Sequence, residues 1–333
     1  MVGNTTVDPL AWAEVVTKPE IDAVRNPRTG HVLDVRRLIR AFRYEHAILL
    51  RQKLKALVKG GEARLVCATC GVPVYLACST NKRFFFRHRH EDGSCPAVTR
   101  MDLSEADMRA MKYRGAQESA AHKRIKELLL RSLSADPLFK EVASERTWKA
   151  SEGLSGLRRP DVSARTDTTR LAFEVQLSTT FMDVVLSRKE FYRAERAALV
   201  WILPFFHPSY RRMTDDDILF GNNSNVFVVD ESTAAASEAA GTFIMTCWYR
   251  KPIIEGDEIV DEWVERMVRW DEITVDVDRQ AIIVFDYAQE AARLREELRA
   301  ARLEGIAAAE AAARQALEER ENELREHVLR FVL

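Results

Sequence analysis

Apolar residues follow two different periods along this chain, and the changes between them mark the predicted elements. Residues 21–33 surround a turn from Asn26 to Gly30, whose proline and glycine suit special backbone angles, so we predict a β-hairpin. Apolar residues then recur near helical spacing over about 34–58, which predicts one helix. The pair Gly60-Gly61 ends that helix.

A second region changes period in a defined order from about residue 114 onward. Helical spacing comes first, three alternating segments follow, and then come another helical segment and a continuous apolar run. The predicted elements are a helix at 114–132, strands at 141–149, 158–166 and 169–178, a helix at 181–195 and a strand from Ala197 to Leu203. The order helix, three strands, helix, strand predicts an α/β (α+β) fold.

The last third of the chain adds further strands and one long helix. Strands are predicted at 225–230, 242–249, 272–277 and 281–286, with a helix near 257–269 between them. From Ala288 the chain is rich in Ala, Glu and Arg, which predicts a single helix to the end. Heptad spacing fits Leu317, Leu324, Val328 and Phe331, and separately Leu294 and Leu298, so a partner helix could pair there.

These changes divide the chain into three predicted parts. Residues 1–104 form an N-terminal module with a Cys/His segment at 66–98. Residues 105–287 hold the α/β core with a C-terminal strand extension. Residues 288–333 form the long helix, which could pair as a coiled coil with a second copy of the chain or with another protein.

Composition narrows the class of protein. The 333 residues are 47% hydrophobic and 30% charged, as in an ordinary globular protein of about two domains. The net charge of -1 gives no overall attraction to nucleic acid, although a local basic cleft is compatible with it. No run approaches the roughly 18 apolar residues of a membrane span, and the N-terminus lacks a signal-peptide pattern, so we expect no membrane association and a cytoplasmic location.

The five cysteines are expected to be metal ligands or core residues, because disulfides are rare in a reducing compartment. Cys67 and Cys70 are separated by two residues, so both thiolates can reach one tetrahedral zinc ion. Cys95 is the predicted third ligand, and His88 or His90 the fourth. His88 is preferred because it follows an aromatic strand. A closed four-ligand site predicts a structural zinc ion.

A pair of acidic residues carries the candidate chemistry. In the predicted strand 169–178, apolar residues alternate with Glu174 and Gln176. If the turn before this strand is centred between residues 167 and 168, opposite residues have numbers that sum to 335, and Asp161 faces Glu174. Like charges about 5 Å apart destabilise a strand pair, so we expect a Mg²⁺ or Mn²⁺ ion between them. A one-residue slip would separate the carboxylates.

These motifs resemble a known superfamily. Pro160-Asp161 followed by Glu174-x-Gln176, within this order of elements, resembles the PD-(D/E)xK nuclease superfamily. With the upstream Cys/His module, residues 62–204 resemble its competence protein CoiA-like branch. The resemblance implies a restriction-endonuclease-like core that hydrolyses DNA with Mg²⁺ or Mn²⁺. Gln176 stands where the commonest motif has lysine, and some branches carry glutamine there.

The helices on either side of the acidic hairpin supply further candidates. Glu118, His122 and Lys126 recur every four residues and therefore share one helix face. Gln176 would position the attacking water, and Lys126 or His122 could supply the charge or proton transfer that a motif lysine provides. The candidates for binding the DNA backbone are Arg158, Arg159, Arg188 and Tyr192.

Two other functions are compatible with the same residues. Without a competent water-activating group, the fold would bind nucleic acid through the zinc segment and a basic cleft, and Gln176 favours this alternative. A third possibility is an assembly protein that acts mainly through residues 288–333. The residues are compatible with DNA or RNA as the target and with either strand preference. They are also compatible with a role in DNA uptake, in repair or in defence against foreign DNA.

Overall fold

The computed structural model describes residues 6–91, 93, 95–99, 120–177 and 182–332. Within this part of the chain there are seven α-helices and sixteen strands. The helices are α1 (Val35–Arg40), α2 (Tyr44–Lys59), α3 (Ala120–Ser134), α4 (Met182–Ala194), α5 (Met213–Gly221), α6 (Glu231–Ala240) and α7 (Tyr287–Val332). The strands are β1 (Ala23–Arg25), β2 (Val32–Asp34), β3 (Val66–Cys67), β4 (Val74–Cys78), β5 (Phe84–His88), β6 (Lys140–Ser144), β7 (Trp148–Lys149), β8 (Leu157–Arg158), β9 (Val162–Arg165), β10 (Arg170–Val175), β11 (Ala197–Leu203), β12 (Asn225–Val228), β13 (Ile244–Glu255), β14 (Glu258–Arg269), β15 (Thr274–Asp276) and β16 (Ala281–Ile283).

The largest sheet has seven strands in the order β14-β13-β12-β11-β10-β9-β6. Strands β10, β11 and β12 are parallel to one another. On one side of them, β9 pairs antiparallel with β10, and β6 pairs antiparallel with β9. Helix α4 connects β10 to β11, because neighbouring parallel strands need a crossover. The structure is therefore a mixed α/β fold with the predicted order of helix, three strands, helix and strand, into which the short hairpin β7–β8 is inserted.

Alternation along β10 gives this sheet two different apolar faces. Leu171, Phe173 and Val175 lie on the face that packs with α3. Ala172 lies on the other face, in the core that α2, α4 and the N-terminal segment share. Because successive side chains of a strand point to opposite faces, Glu174 shares the face of Ala172 and is buried there.

The N-terminal segment forms the predicted hairpin, since β1 pairs antiparallel with β2, and β3 completes a three-stranded sheet. The prediction of one continuous helix over 34–58 is wrong, because two helices lie there. Helix α1 ends at Arg40 and α2 begins at Tyr44, with Arg43 in an extended conformation between them. The Tyr44 backbone N–H donates to the Ala11 carbonyl oxygen at 2.7 Å, a contact that an unbroken helix would not allow.

The helix predicted near 257–269 is also wrong, because this segment is strand β14. Its apolar residues come in adjacent pairs four residues apart, a spacing that fits a helix as well as a strand. Only Gly256 and Asp257 separate β13 from β14, and Gly256 has a φ of 61°. A two-residue loop with positive φ is typical of a β-hairpin. Helices α5 and α6 were not predicted.

The chain divides into two compact units. The first comprises residues Met1–Arg250 and Trp263–Phe285, and the second comprises Lys251–Glu262 and Asp286–Leu333. Helix α7 is continuous, as predicted, and its side chains are exposed throughout residues 299–331. The heptad residues Leu317, Leu324, Val328 and Phe331 are all exposed. In the part of the chain that the structure describes, no helix has the length and apolar character needed to cross a membrane.

A buried ion network joins the N-terminal segment to α5. The run Asp215–Asp217 is buried, and Asp216 is completely inaccessible to solvent. Its carboxylate accepts hydrogen bonds from Lys82 Nζ at 2.6 Å, Arg211 Nε at 2.7 Å and the Tyr44 hydroxyl at 2.8 Å. A buried carboxylate is tolerated only when its charge and lone pairs are compensated in this way. The N-terminal segment is thus attached to the α/β core by charge as well as by apolar contact.

We expect Asp216→Asn to lower the free energy of unfolding by about 3–5 kcal/mol, because two buried cations lose their counterion. Urea denaturation followed by tryptophan fluorescence measures this in the first unit, which contains all six tryptophans. Asp167→Asn is the matched control, since the Asp167 side chain is 74% exposed and its ion pair among the described residues is with the exposed Lys140, so the midpoint should stay unchanged. Equal midpoints for the two variants would contradict a stabilising role for the network.

Candidate functional site

Four side chains from the N-terminal segment converge on one point. The ligand atoms of Cys67, Cys70, His88 and Cys95 all lie within 4.8 Å of one another. Cys67 Sγ is 4.0 Å from Cys95 Sγ, and Cys70 Sγ is 3.4 Å from His88 Nε2. Two thiolates on one tetrahedral zinc ion stand about 3.8 Å apart, so the donor set and spacing fit zinc. These four residues can hold a metal ion such as zinc.

Local structure explains why these four residues meet. Cys67 ends β3, and the next turn is closed by a hydrogen bond from Gly71 N to Cys67 O at 3.0 Å, with Gly71 at a φ of 75°. His88 ends β5 with its Nδ1 3.2 Å from the Thr99 hydroxyl, which orients Nε2 toward Cys70. His90, the other candidate ligand, is exposed and lies outside the group.

The electrostatics of the group favour a bound cation. Burial raises the pKa of the Cys70 thiol to about 11, and the neighbouring thiols of Cys67 and Cys95 add to this. Burial also opposes ionisation of Cys67, but hydrogen bonds from the Cys70 backbone and His88 outweigh it and lower the pKa to about 7. Crowded thiols resist ionising together because their thiolates would repel one another. A coordinated metal ion compensates these negative charges and deprotonates its thiol ligands.

We expect the purified protein to carry one zinc ion per chain. Cys95→Ser and His88→Ala should each lower the zinc content measured by atomic absorption, because a structural site needs all four ligands. Cys78→Ser and His90→Ala are the matched controls, since neither residue belongs to the group, and both should retain the ion. Equal zinc content in His88→Ala and His90→Ala would refute this ligand assignment.

The hairpin of β9 and β10 has the pairing expected from its turn. Arg170 lies opposite Arg165 and Phe173 opposite Val162, so that the numbers of opposite residues sum to 335. Continued by one pair, this register brings Asp161 across from Glu174. Asp161 lies just before β9, and its Oδ2 accepts a hydrogen bond from the Val175 backbone N–H at 2.8 Å. Its carboxylate is therefore turned toward β10, next to Glu174.

Glu174 is 1% exposed and is held by two residues of α4. The Tyr192 hydroxyl donates to Glu174 Oε1 at 3.0 Å, and Arg188 Nη1 lies 3.1 Å from Oε2. Burial raises the pKa of Glu174 to about 7, and the charge of Asp161 adds to this, while Arg188, Tyr192 and His122 oppose it. The carboxyl therefore binds a proton far more readily than an exposed glutamate does.

The three candidates on the preceding helix have different environments. His122 Nε2 lies 3.3 Å from Asp161 Oδ2, so this side chain borders the acidic pair. Lys126 forms an ion pair with Glu145, whose backbone N–H donates to the Asp161 carbonyl oxygen at 3.1 Å. Glu118 lies outside the described residues. Sequence reasoning missed Glu145, for which the only signal was an acidic residue in a predicted strand.

Gln176 and the predicted DNA-binding residues also have definite positions. Gln176 is buried, and its backbone N–H donates to the Ile202 carbonyl oxygen at 2.8 Å. Arg159 pairs with Glu145, and the Arg158 guanidinium lies 5.3 Å from the Phe191 ring centroid. Tyr192 was predicted to contact DNA, which is wrong because its side chain is completely buried against Glu174. Its position makes it an orienting residue for that carboxylate.

Within the described residues, the Cys/His group is the only set of three or more His, Cys, Asp or Glu ligands whose atoms all lie within 4.8 Å. The acidic pair and His122 form a looser arrangement. Oε2 of Glu174 is buried, and the described residues offer it no hydrogen bond beyond the Arg188 ion pair. A cation binding here would compete with Arg188 for Glu174 Oε2.

We expect Glu174→Gln to change how stability depends on pH. The folded protein keeps the Glu174 proton up to about pH 7 whereas the unfolded chain loses it near pH 4.5, so wild-type stability falls as pH rises through this window. Glutamine stays neutral, so the stability of the variant relative to wild type should increase by about 3 kcal/mol between pH 4 and 8. Urea denaturation at both pH values measures it.

Glu195 supplies a control of opposite sign for this measurement. Burial alone would raise the pKa of Glu195, but hydrogen bonds from Ser151, Trp148 and Arg170 lower it below its usual value. Its carboxylate therefore stabilises the fold above its unfolded pKa, and Glu195→Gln should be more destabilising at pH 8 than at low pH. The same pH trend in both variants would contradict the assignment of a raised pKa to Glu174.

Comparison with known proteins places the chain in a family. The model described as "Domain of unknown function (DUF7830)" matches residues 30–102, and the model described as "Domain of unknown function (DUF6035)" matches residues 104–288. The second match covers more than half of the 333 residues, so the chain belongs to the DUF6035 family. No curated protein and no solved structure matches it.

Proposed function

We propose that this protein is a metal-dependent nuclease that hydrolyses DNA phosphodiester bonds at Asp161 and Glu174. The observation that carries the proposal is the register of the β9–β10 hairpin, which pairs Val162 with Phe173 and, continued by one residue, brings Asp161 across from Glu174. The hydrogen bond from the Val175 backbone N–H to Asp161 Oδ2 holds this carboxylate against β10. One of them is buried with an elevated pKa, which is a common feature of functional sites.

The topology around the pair supports the same proposal. Helix α3, strands β6, β9 and β10, helix α4 and strand β11 follow one another along the chain. The four strands are neighbours in that order in the sheet, with β11 parallel to β10. This arrangement is similar to the restriction-endonuclease-like core of the PD-(D/E)xK superfamily, to which we propose that residues 105–287 belong.

The residues at the site fit a hard divalent cation. Asp161 and Glu174 supply the carboxylate oxygens that Mg²⁺ and Mn²⁺ prefer, and Glu174 Oε2 is buried with an ion pair as its one described contact. A bound ion would neutralise the scissile phosphate and lower the pKa of the attacking water. The zinc site is separate, because its four ligands leave no open position for a substrate.

The chain's own residues divide the remaining tasks. In hydrolysis the attacking water forms the new P–O bond and gives up a proton, while the leaving oxygen gains one. His122, 3.3 Å from Asp161, is placed to accept or donate such a proton. Arg188 neutralises Glu174 before a cation binds and is then free to contact a phosphate. Tyr192 keeps one oxygen of Glu174 in place.

A nucleic-acid-binding protein without hydrolytic activity is the second candidate. Gln176 stands in place of the motif lysine, and Lys126, the candidate lysine on α3, is engaged by Glu145. If neither residue activates water, the same surface would bind DNA and leave it intact. Both candidate functions require DNA binding, but only the nuclease also cleaves the bound DNA.

We expect the 333-residue chain, loaded with zinc, to cut plasmid or single-stranded circular DNA when Mg²⁺ or Mn²⁺ is added. Asp161→Asn and Glu174→Ala should each slow cleavage by at least about a hundredfold, because each removes a metal ligand. Gel electrophoresis over a time course measures the rate. Asp167→Asn, in the turn of the same hairpin and 74% exposed, is the matched control that should keep full activity.

Two results would separate the candidates. If DNA stays intact in the presence of Mn²⁺ and binds without metal, the nuclease proposal is wrong and the DNA-binding alternative is supported. Cleavage that is equally fast in wild type and in Asp161→Asn would show that the activity lies elsewhere on the chain or in a contaminant.

A further inference from the structure

The face of the sheet that carries the acidic pair also carries a basic pocket. Ser163 and Arg165 of β9 point to one face of the sheet, and Arg170 and Glu174 share this face on β10. Asp161, just before β9, continues the same alternation. At the end of this face farthest from Asp161 lies a cavity of about 230 Å³. Its lining includes four cations, Arg146, Lys149, Arg165 and Arg170.

Two of these cations stand directly opposite each other. Arg165 pairs with Arg170 across the β9–β10 hairpin, so two positive side chains begin about 5 Å apart on the same face. Like charges in this position destabilise a strand pair unless anions compensate them. The arrangement is the positive counterpart of the opposed carboxylates farther along the same two strands.

The acidic residues nearby compensate only part of this charge. Glu141 is shared, with one oxygen 3.0 Å from Arg165 Nη1 and the other 3.4 Å from Arg146 Nη1. Glu195 lies 3.2 Å from Arg170 Nη2 but is fully buried and also accepts bonds from the neighbouring loop. Among the described residues, Lys149 has no acidic partner within ion-pair distance. The pocket therefore keeps a surplus of positive charge.

The guanidinium of Arg170 is already fixed in position. It lies 4.6 Å from the centroid of the Trp148 ring and is anchored to Glu195. The Trp148 ring packs edge-on against Tyr192 at 5.5 Å, and the Tyr192 hydroxyl donates to Glu174. One continuous set of side-chain contacts thus links the basic pocket to the acidic site.

We propose that this pocket binds the phosphate groups of the DNA strand whose scissile bond lies at Asp161 and Glu174. Arg165 is four residue steps from Asp161 along an extended chain, a distance of about 13 Å, so the bound phosphates belong to nucleotides near the reacting one. Guanidinium groups match phosphate geometry, and counterion release makes such contacts favourable at moderate salt. The inference rests on the proposed function, since it names where that substrate is held.

Binding measured without divalent ions tests the pocket independently of cleavage. Fluorescence anisotropy of a labelled 20-base-pair duplex, titrated with the full chain at several NaCl concentrations, gives the slope of log K against log[NaCl]. The triple variant Arg146→Gln, Lys149→Gln, Arg165→Gln should reduce the magnitude of this slope by up to about 3, because each phosphate contact contributes about 0.9. Affinity near 0.1 M salt should fall at least about tenfold.

Two further variants exclude a merely structural effect. Glu141→Gln removes the anion shared by Arg146 and Arg165, so affinity should rise, which a misfolded protein cannot mimic. The double variant Arg124→Gln, Arg131→Gln removes exposed cations of α3, which packs on the opposite face, and should leave the slope unchanged. A wild-type slope in the triple variant, or weaker binding in Glu141→Gln, would overturn the proposal.

The outcomes for the pocket and for catalysis are distinguishable. Cleavage that depends on Asp161 while the triple variant binds like wild type would leave the nuclease proposal standing and remove the pocket. If DNA binding depends on the pocket but no cleavage occurs in Mn²⁺, the pocket proposal stands and the nuclease proposal is wrong. No measurable binding of wild type at 50 mM NaCl would overturn the pocket outright.

Discussion

The pairing of β9 with β10 decides which side chains lie beneath α4, and the rest of the candidate site depends on it. In the observed register, Arg165 stands across from Arg170 and Val162 across from Phe173, and one further step along the two strands brings Asp161 to the side of Glu174. A slip of one residue would turn the charged residues of one strand into the apolar face that packs with α3. The apolar side chains of β10 therefore enforce the same register that assembles the acidic site and the basic pocket.

Two buried carboxylates in this chain differ in how far their negative charge is compensated. Asp216 accepts hydrogen bonds from two cations and a tyrosine, so its negative charge is fully compensated. Glu174 has one arginine and one tyrosine, and the Asp161 charge opposes its ionisation. The first arrangement holds the N-terminal segment on the core. The second leaves a carboxyl that a proton or a divalent cation would stabilise.

The parts of this structure that local sequence determines were predictable, and the hairpin is the clearest case. Its turn and its alternation lie within about 15 residues, so register and facing follow from counting. The position of Cys67, Cys70 and Cys95 in one group also followed from their spacing. Spacing could not choose between His88 and His90, because that choice depends on the direction of the ring at the end of β5.

Contacts between distant parts of the chain were not predictable by these means. Lys82 and Asp216 are 134 positions apart, and no local pattern marks them as partners. No local pattern marks Lys126 and Glu145 as partners either. Tyr192 was expected at the surface but is buried. Strand β14 was mistaken for a helix because its paired apolar residues fit both periods, and the hairpin with β13 decided the outcome.

The proposal that Asp161 and Glu174 bind one cation is tested most directly by anomalous X-ray diffraction at the manganese absorption edge, from crystals soaked in Mn²⁺. We expect a single peak about 2.2 Å from a carboxylate oxygen of each residue, with the Arg188 guanidinium displaced from Glu174. If no peak appears between them and Arg188 still pairs with Glu174 at saturating Mn²⁺, the two carboxylates do not form a metal site.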